Sequence, residues 1–147
     1  MKPTIYFDMD GTIANLYAVE NWLPMLRAHD PSPYAMAQPM VNMARLAKAL
    51  NKLRRKGYKI GVISWCSKVS NAEYDAAVSA AKRAWLSKHL PSVVWDEINI
   101  VAYGVPKQSF CGDTIDILFD DEAPNRDNWT GQAYSEAEIF SILNSLE

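Results

Sequence analysis

Residues 59–64 read KIGVIS, a run that is apolar almost from end to end. A strand with one wet face alternates apolar and polar side chains, so an unbroken run demands cover on both faces. That is the condition of a parallel strand inside an α/β domain, and no other feature constrains this chain as much. Three further runs share its Ile, Val and aromatic content: 4–7 (TIYF), 98–102 (INIVA) and 115–119 (IDILF). A short fifth run around Ala133-Tyr134 also suits a strand. Helical patterns fill the gaps. Residues 41–56 place Met43, Leu46, Ala47, Leu50 and Leu53 on one stripe. Residues 71–89 open on an Asn or Ser cap and carry Tyr74, Val78, Ala81, Trp85 and Leu86. Residues 135–146 begin with Ser135 and have Glu138 three positions on, a capping-box pair, ahead of Ile139, Ile142, Leu143 and Leu146. Strands alternating with helices of this length predict an α/β domain with a mostly parallel sheet. A chain of 147 residues is expected to form one domain, 1–147.

One stretch breaks the alternation. Residues 14–40 are too many for an ordinary connection between strand and helix. Pro24, Pro31, Pro33 and Pro39 divide them into short helices and turns. The stretch is expected to form a small helical insertion over the sheet edge. It is either a lid or a structural excursion that completes the core.

Composition narrows the function. A net charge of -2 gives no reason to expect non-specific binding to nucleic acid or to anionic membranes. The basic run at 52–56 ends a predicted helix just before Gly57, where cations are favoured for local reasons. No apolar run approaches the roughly 20 residues of a membrane helix, and no leader segment is visible. Cys66 and Cys111 are read as reduced thiols in a cytoplasmic protein. His29 and His89 have no partner at ligand spacing. The chain is expected to be a monomer or homodimer, without a membrane partner.

Ligands of open parallel sheets bind beyond the carboxyl ends of the strands. Asp8 and Asp10 follow the first run, Ser64 closes KIGVIS, and Asp120 and Asp121 follow IDILF. Four carboxylates at one edge repel unless a cation joins them. Oxygen donors without a His or Cys cluster select a hard cation, Mg²⁺ first.

The run Asp8-Met9-Asp10-Gly11-Thr12 resembles the DxDGT signature of the haloacid dehalogenase-like (HAD) superfamily of phosphohydrolases. Ser64 resembles the second motif of that superfamily, and Asp120-Asp121 the acidic fourth. Lys107 stands where the third-motif lysine is expected, and Lys82 is the alternative. The resemblance spans residues 4–125. It implies a Rossmann-like three-layer α/β/α fold and a Mg²⁺-dependent phosphomonoester hydrolase acting through an aspartyl phosphate. Asp8 would be the nucleophile and Asp10 the general acid and base. Ser64 and Lys107 would complete the catalytic set, with Met9, Gly11, Thr12, Ser64, Trp65 and Lys107 around the phosphate. Asp8, Asp10 (through its carbonyl), Asp120 and Asp121 would hold Mg²⁺. Asn125 is a candidate auxiliary residue.

The insertion's place and the ending FDDEAPN resemble the 5'(3')-deoxyribonucleotidase branch, which implies a small phosphomonoester such as a nucleoside monophosphate as substrate. Tyr17, Trp22 and Tyr34 would then either stack on a base or pack the insertion onto the sheet. A polynucleotide 3'-phosphate, a phosphoprotein or a phosphosugar remains an alternative substrate. So does a non-catalytic module of this fold that binds metal and phosphate.

Overall fold

The structure, a computed structural model, describes residues 2–147. Its five-stranded sheet is parallel throughout. It comprises β1 (Thr4–Phe7), β4 (Lys59–Trp65), β5 (Glu97–Val101), β6 (Ile117–Phe119) and β7 (Gln132–Tyr134), in the order β5-β4-β1-β6-β7. The chain runs outward from β1 through β4 to β5, then crosses to β6 on the other side of β1. The order therefore reverses at β1, and such a reversal opens a crevice at the carboxyl ends of the strands.

KIGVIS is covered on both faces, as its composition requires. One face buries Ile5, Phe7, Ile60, Val62, Ile117 and Phe119. Helices α3 (Met43–Arg55), α4 (Ala72–His89) and α6 (Ile139–Leu146) supply cover through Leu46, Leu50, Leu53, Trp85, Leu86, Ile139 and Leu143. Each fully buried leucine contributes about 1.5–3 kcal/mol. The opposite face, with Tyr6, Ile63 and Leu118, has thinner cover. Trp129, at the end of α5 (Ala123–Asn128), and Phe110, in the 3₁₀ turn Lys107–Phe110, pack there. The result is an α/β Rossmann-like fold with helices flanking a parallel sheet.

Helix starts follow the side chains that cap them. The Asn42 side chain accepts from Arg45 N at 2.9 Å, and Asn71 accepts from Tyr74 N at 2.8 Å. Ser135 and Glu138 form the capping box, although its first turn, Glu136–Glu138, is 3₁₀ before α6 begins. The run 115–119 starts as a strand only at Ile117. Asp116 explains the delay: its carboxylate accepts from the backbone N–H groups of Thr4, Gly112 and Asp113, which fixes a turn there.

Residues 14–40 leave the sheet edge and return to it. Two short antiparallel strands, β2 (Ala14–Asn15) and β3 (Gln38–Pro39), pair at the base. Between them lie the 3₁₀ turn Leu16–Ala18, α1 (Trp22–Arg27) and α2 (Ser32–Met36). This segment packs on α4 through Leu16, Leu26 and Tyr34 against Tyr74 and Val78. Two hydrogen bonds hold it: in a buried one Trp85 Nε1 donates to Ala37 O at 2.8 Å, and in a partly buried one Tyr74 OH donates to Asp30 O at 3.0 Å.

Candidate functional site

The register of the sheet brings the acids together. Phe7 lies opposite Phe119, so Asp8 and Asp120 leave adjacent strands at the same level. Asp8 N still donates to Phe119 O at 2.9 Å, which anchors the strand end. Ser64 stands on the other neighbouring strand, fully buried.

After Asp8 the chain turns sharply. Met9 O accepts from the amides of Thr12, Ile13 and Ala14, and Gly11 N donates to Ala14 O. Gly11 has φ +80°, which glycine adopts without strain. A Cβ there would also overlap the Asp121 carboxylate. Gly11 thus lets the second acid of the 120–121 pair close in, and its own amide is committed to the turn. The amides of Met9 and Asp10 have no hydrogen-bond partner among the described residues, and they are the two the turn leaves for an anion. Thr12 braces both strand ends: Oγ1 lies 3.0 Å from Asp8 Oδ2 and 3.1 Å from Asp121 N, which donates to it.

Both candidate lysines reach the site, and they serve different acids. Lys107 is 2% exposed, and its Nζ donates to Asp8 Oδ1 at 2.8 Å and to Asp120 Oδ2 at 2.7 Å. Lys82 is 1% exposed, and its Nζ donates to Asp10 Oδ2 at 2.8 Å and to Ser64 Oγ at 2.6 Å. Burial works against the Lys107 charge, but Asp8 and Asp120 outweigh it and raise its pKa above the ordinary value. Burial raises the Asp10 carboxyl despite the opposing pull of Lys82. Burial, then the charge of Asp8, pushes Asp120 up to about 6 and Asp121 up to about 8.

The site is also short of positive charge. Four carboxylates (Asp8, Asp10, Asp120, Asp121) face two ammonium groups. When all are ionised, two negative charges remain, which a divalent cation would balance. Asp8, Asp120 and Asp121 each offer an oxygen within 4.8 Å of the others, an all-carboxylate set suited to a hard cation. The Asp10 side chain lies outside this group and is tied to Lys82. Asn125 Nδ2 donates to Asp120 Oδ2 at 3.2 Å, which orients that acid.

The acids open into a cavity of about 480 Å³. Tyr17, Trp22, Trp65 and Tyr103 form aromatic walls, with Arg27 and Lys68 on its exposed side. The rings pair as Tyr17 with Trp22 (centroids 5.1 Å apart) and Trp65 with Tyr103 (5.0 Å). The Trp65 indole N–H is committed to Val105 O at 2.8 Å, so the residue offers ring surface beside Lys107. Of the three aromatics in the insertion, Tyr34 is buried with Lys82 Nζ 5.0 Å from its ring centre, and it packs the insertion. Tyr17 keeps about half its surface exposed.

In sequence, the chain matches no known protein-family profile and no curated protein. In structure, the solved proteins it is similar to include three at 15% identity each. The D,D-heptose 1,7-bisphosphate phosphatase of Burkholderia thailandensis aligns over 86% of this chain and 70% of its own, with a TM-score of 0.52. A HAD-like phosphatase of Mesorhizobium loti aligns over 99% of this chain and 86% of its own, with a TM-score of 0.61. A chain of the Pnkp1/Rnl/Hen1 complex aligns over 91% of this chain but 45% of its own, with a TM-score of 0.53. The fold is therefore that of HAD-like phosphatases.

Proposed function

We propose that this protein hydrolyses phosphomonoesters with Mg²⁺ bound, through an aspartyl phosphate on Asp8. The observation that carries this reading is the ion-paired array Asp8–Lys107–Asp120, with Asp121 beside it, where the strand order reverses. A phosphomonoester is inert and needs large transition-state stabilisation. An Asp8 carboxylate oxygen attacks phosphorus as the bond to the leaving oxygen breaks, and Asp10 gives that oxygen a proton. Water then attacks the acyl phosphate, its proton passes to Asp10, and inorganic phosphate leaves with Asp8 restored. Lys107 holds Asp8 in place by its hydrogen bond to Oδ1, and Ser64 and the amides of Met9 and Asp10 receive the phosphoryl oxygens. Asp8, Asp120 and Asp121 would hold Mg²⁺, which supplies charge neutralisation and orients the phosphate.

The substrate we assign is a small phosphorylated metabolite of the nucleoside monophosphate type. The cavity lies in the usual range for small-molecule sites, and its aromatic walls suit a flat base. The second reading is a larger substrate with a further anionic group, such as a polynucleotide 3'-end. Arg27 and Lys68 favour it, since both border the cavity and have no ion-pair partner among the described residues. Phosphate release from nucleoside monophosphates, sugar phosphates and a 3'-phosphorylated oligonucleotide, each with Mg²⁺ and with chelator, tests both. The nucleotide reading expects the monophosphates to be turned over fastest and only with metal. A flat profile contradicts it, and preference for the oligonucleotide selects the second reading.

A further inference from the structure

From the contacts of Lys82 we infer that it is a positioning residue for the chemistry. It fixes Asp10 with one oxygen available for proton transfer, and Ser64 with its hydroxyl hydrogen available to phosphate. This rests on the hydrolase reading above and assigns a task that neither Asp8 nor Lys107 performs.

Lys82 lies in the middle of α4, on the same buried stripe as Val78, Trp85 and Leu86. An ammonium on an apolar face is costly unless every proton is bonded. Here all three are. Besides Asp10 Oδ2 and Ser64 Oγ, Nζ donates to Trp65 O at 2.8 Å, and the Tyr34 ring lies 5.0 Å away. A lysine has three donors and no acceptor, so Lys82 has nothing left for a phosphoryl oxygen. Its effect passes through the groups it holds.

Two consequences follow from which atoms it takes. Ser64 accepts from Lys82, so the proton of its own hydroxyl is what remains, and no acceptor for it is present among the described residues. A hydroxyl placed this way donates to an arriving anion. Asp10 accepts through Oδ2 alone; Oδ1 has no hydrogen-bond partner among the described residues and can face the leaving oxygen or the attacking water. One ammonium thus couples the turn after β1, the end of β4 and the insertion, while Lys107 holds Asp8 and Asp120 separately.

The test exploits leaving-group chemistry. An aryl phosphate with an acidic phenol departs without a proton, whereas an alkyl phosphate needs one. In Lys82→Met, kcat/KM on the alkyl phosphate is expected to fall roughly 100-fold or more, against about tenfold or less on the aryl phosphate. Aryl phosphate turnover also reports that the variant is folded. Lys82→Arg, which keeps a buried cation, is expected to show the same split at smaller size and serves if the methionine variant does not fold. Ethylamine added to Lys82→Ala is expected to restore alkyl phosphate turnover, and trimethylamine is not. Equal losses on both substrates with no response to ethylamine, from an active native protein, overturn this role and leave the hydrolase reading standing. A native protein that turns over neither ester overturns both.

Discussion

At the scale of single residues, the site depends on acids crowded closer than they would lie in water. Asp120 and Asp121, pushed up to about 6 and about 8, must ionise before they can ligate a cation. Mg²⁺ binding should therefore release protons, and its apparent affinity should rise from about pH 6 to pH 8 and then level. Calorimetry in buffers of different ionisation enthalpy reads this directly; an affinity flat across that window contradicts the assignment. Gly11 makes the crowding sterically feasible. Gly11→Ala should destabilise the fold by about 1–3 kcal/mol and weaken Mg²⁺ binding, because the new methyl displaces Asp121. Unchanged metal affinity in a folded variant would separate Gly11 from the metal site. Part of this was readable beforehand. The pair Asp8 and Asp10, and the acids 120–121, stand directly after strand runs, so a parallel sheet gathers them. In the sequence Lys82 and Lys107 stand as alternatives for the one third-motif lysine, because that motif has little surrounding signature; in the structure both reach the site. Four carboxylates make room for two. The signal was there: Lys82 follows Val78 by four positions and precedes Leu86 by four, on the stripe of α4.

At the scale of elements, the insertion is tied to α4 by buried side chains and by hydrogen bonds from Tyr74 and Trp85. Trp85 is buried at the helix's far end and holds Ala37 O, close to where β3 returns to the base. Trp85→Phe leaves that carbonyl unpaired at a cost of about 1–3 kcal/mol, which lowers Tm by about 2–4 °C per kcal/mol in a chain of this size. An unchanged Tm would mean that the insertion is anchored elsewhere. Helix limits were readable from caps such as Asn71 and Ser135, since those side chains carry the signal themselves. The late start of β6 was not, because it depends on Asp116 reaching Thr4, more than a hundred positions away. The prolines marked the breaks within residues 14–40, but nothing local announces two-residue strands such as β2 and β3. Pairing that short is decided by where the ends of the insertion meet.

For the molecule as a whole, the charge deficit at one sheet edge makes stability depend on metal. Carboxylates in the unfolded chain titrate near pH 4, below the folded Asp120 and Asp121. Between those limits the folded state binds more protons, so metal-free stability should fall as pH climbs from about 4 to about 8. Mg²⁺ should reverse the loss, adding about 2.7 kcal/mol at a hundred times its Kd. Thermal melts with and without chelator at pH 5 and pH 8 check this, and a metal effect absent at pH 8 contradicts it. Among the described residues, no helix is long and apolar enough to cross a membrane. The central claim is chemical and concerns one atom pair, an Asp8 oxygen and phosphorus. Acid quenching during turnover of a phosphate-labelled substrate, followed by peptide mapping, measures it. We predict hydroxylamine-labile label on the peptide containing Asp8, and none in Asp8→Asn. Turnover by the native protein without label on that peptide, or label that persists in Asp8→Asn, would contradict the account.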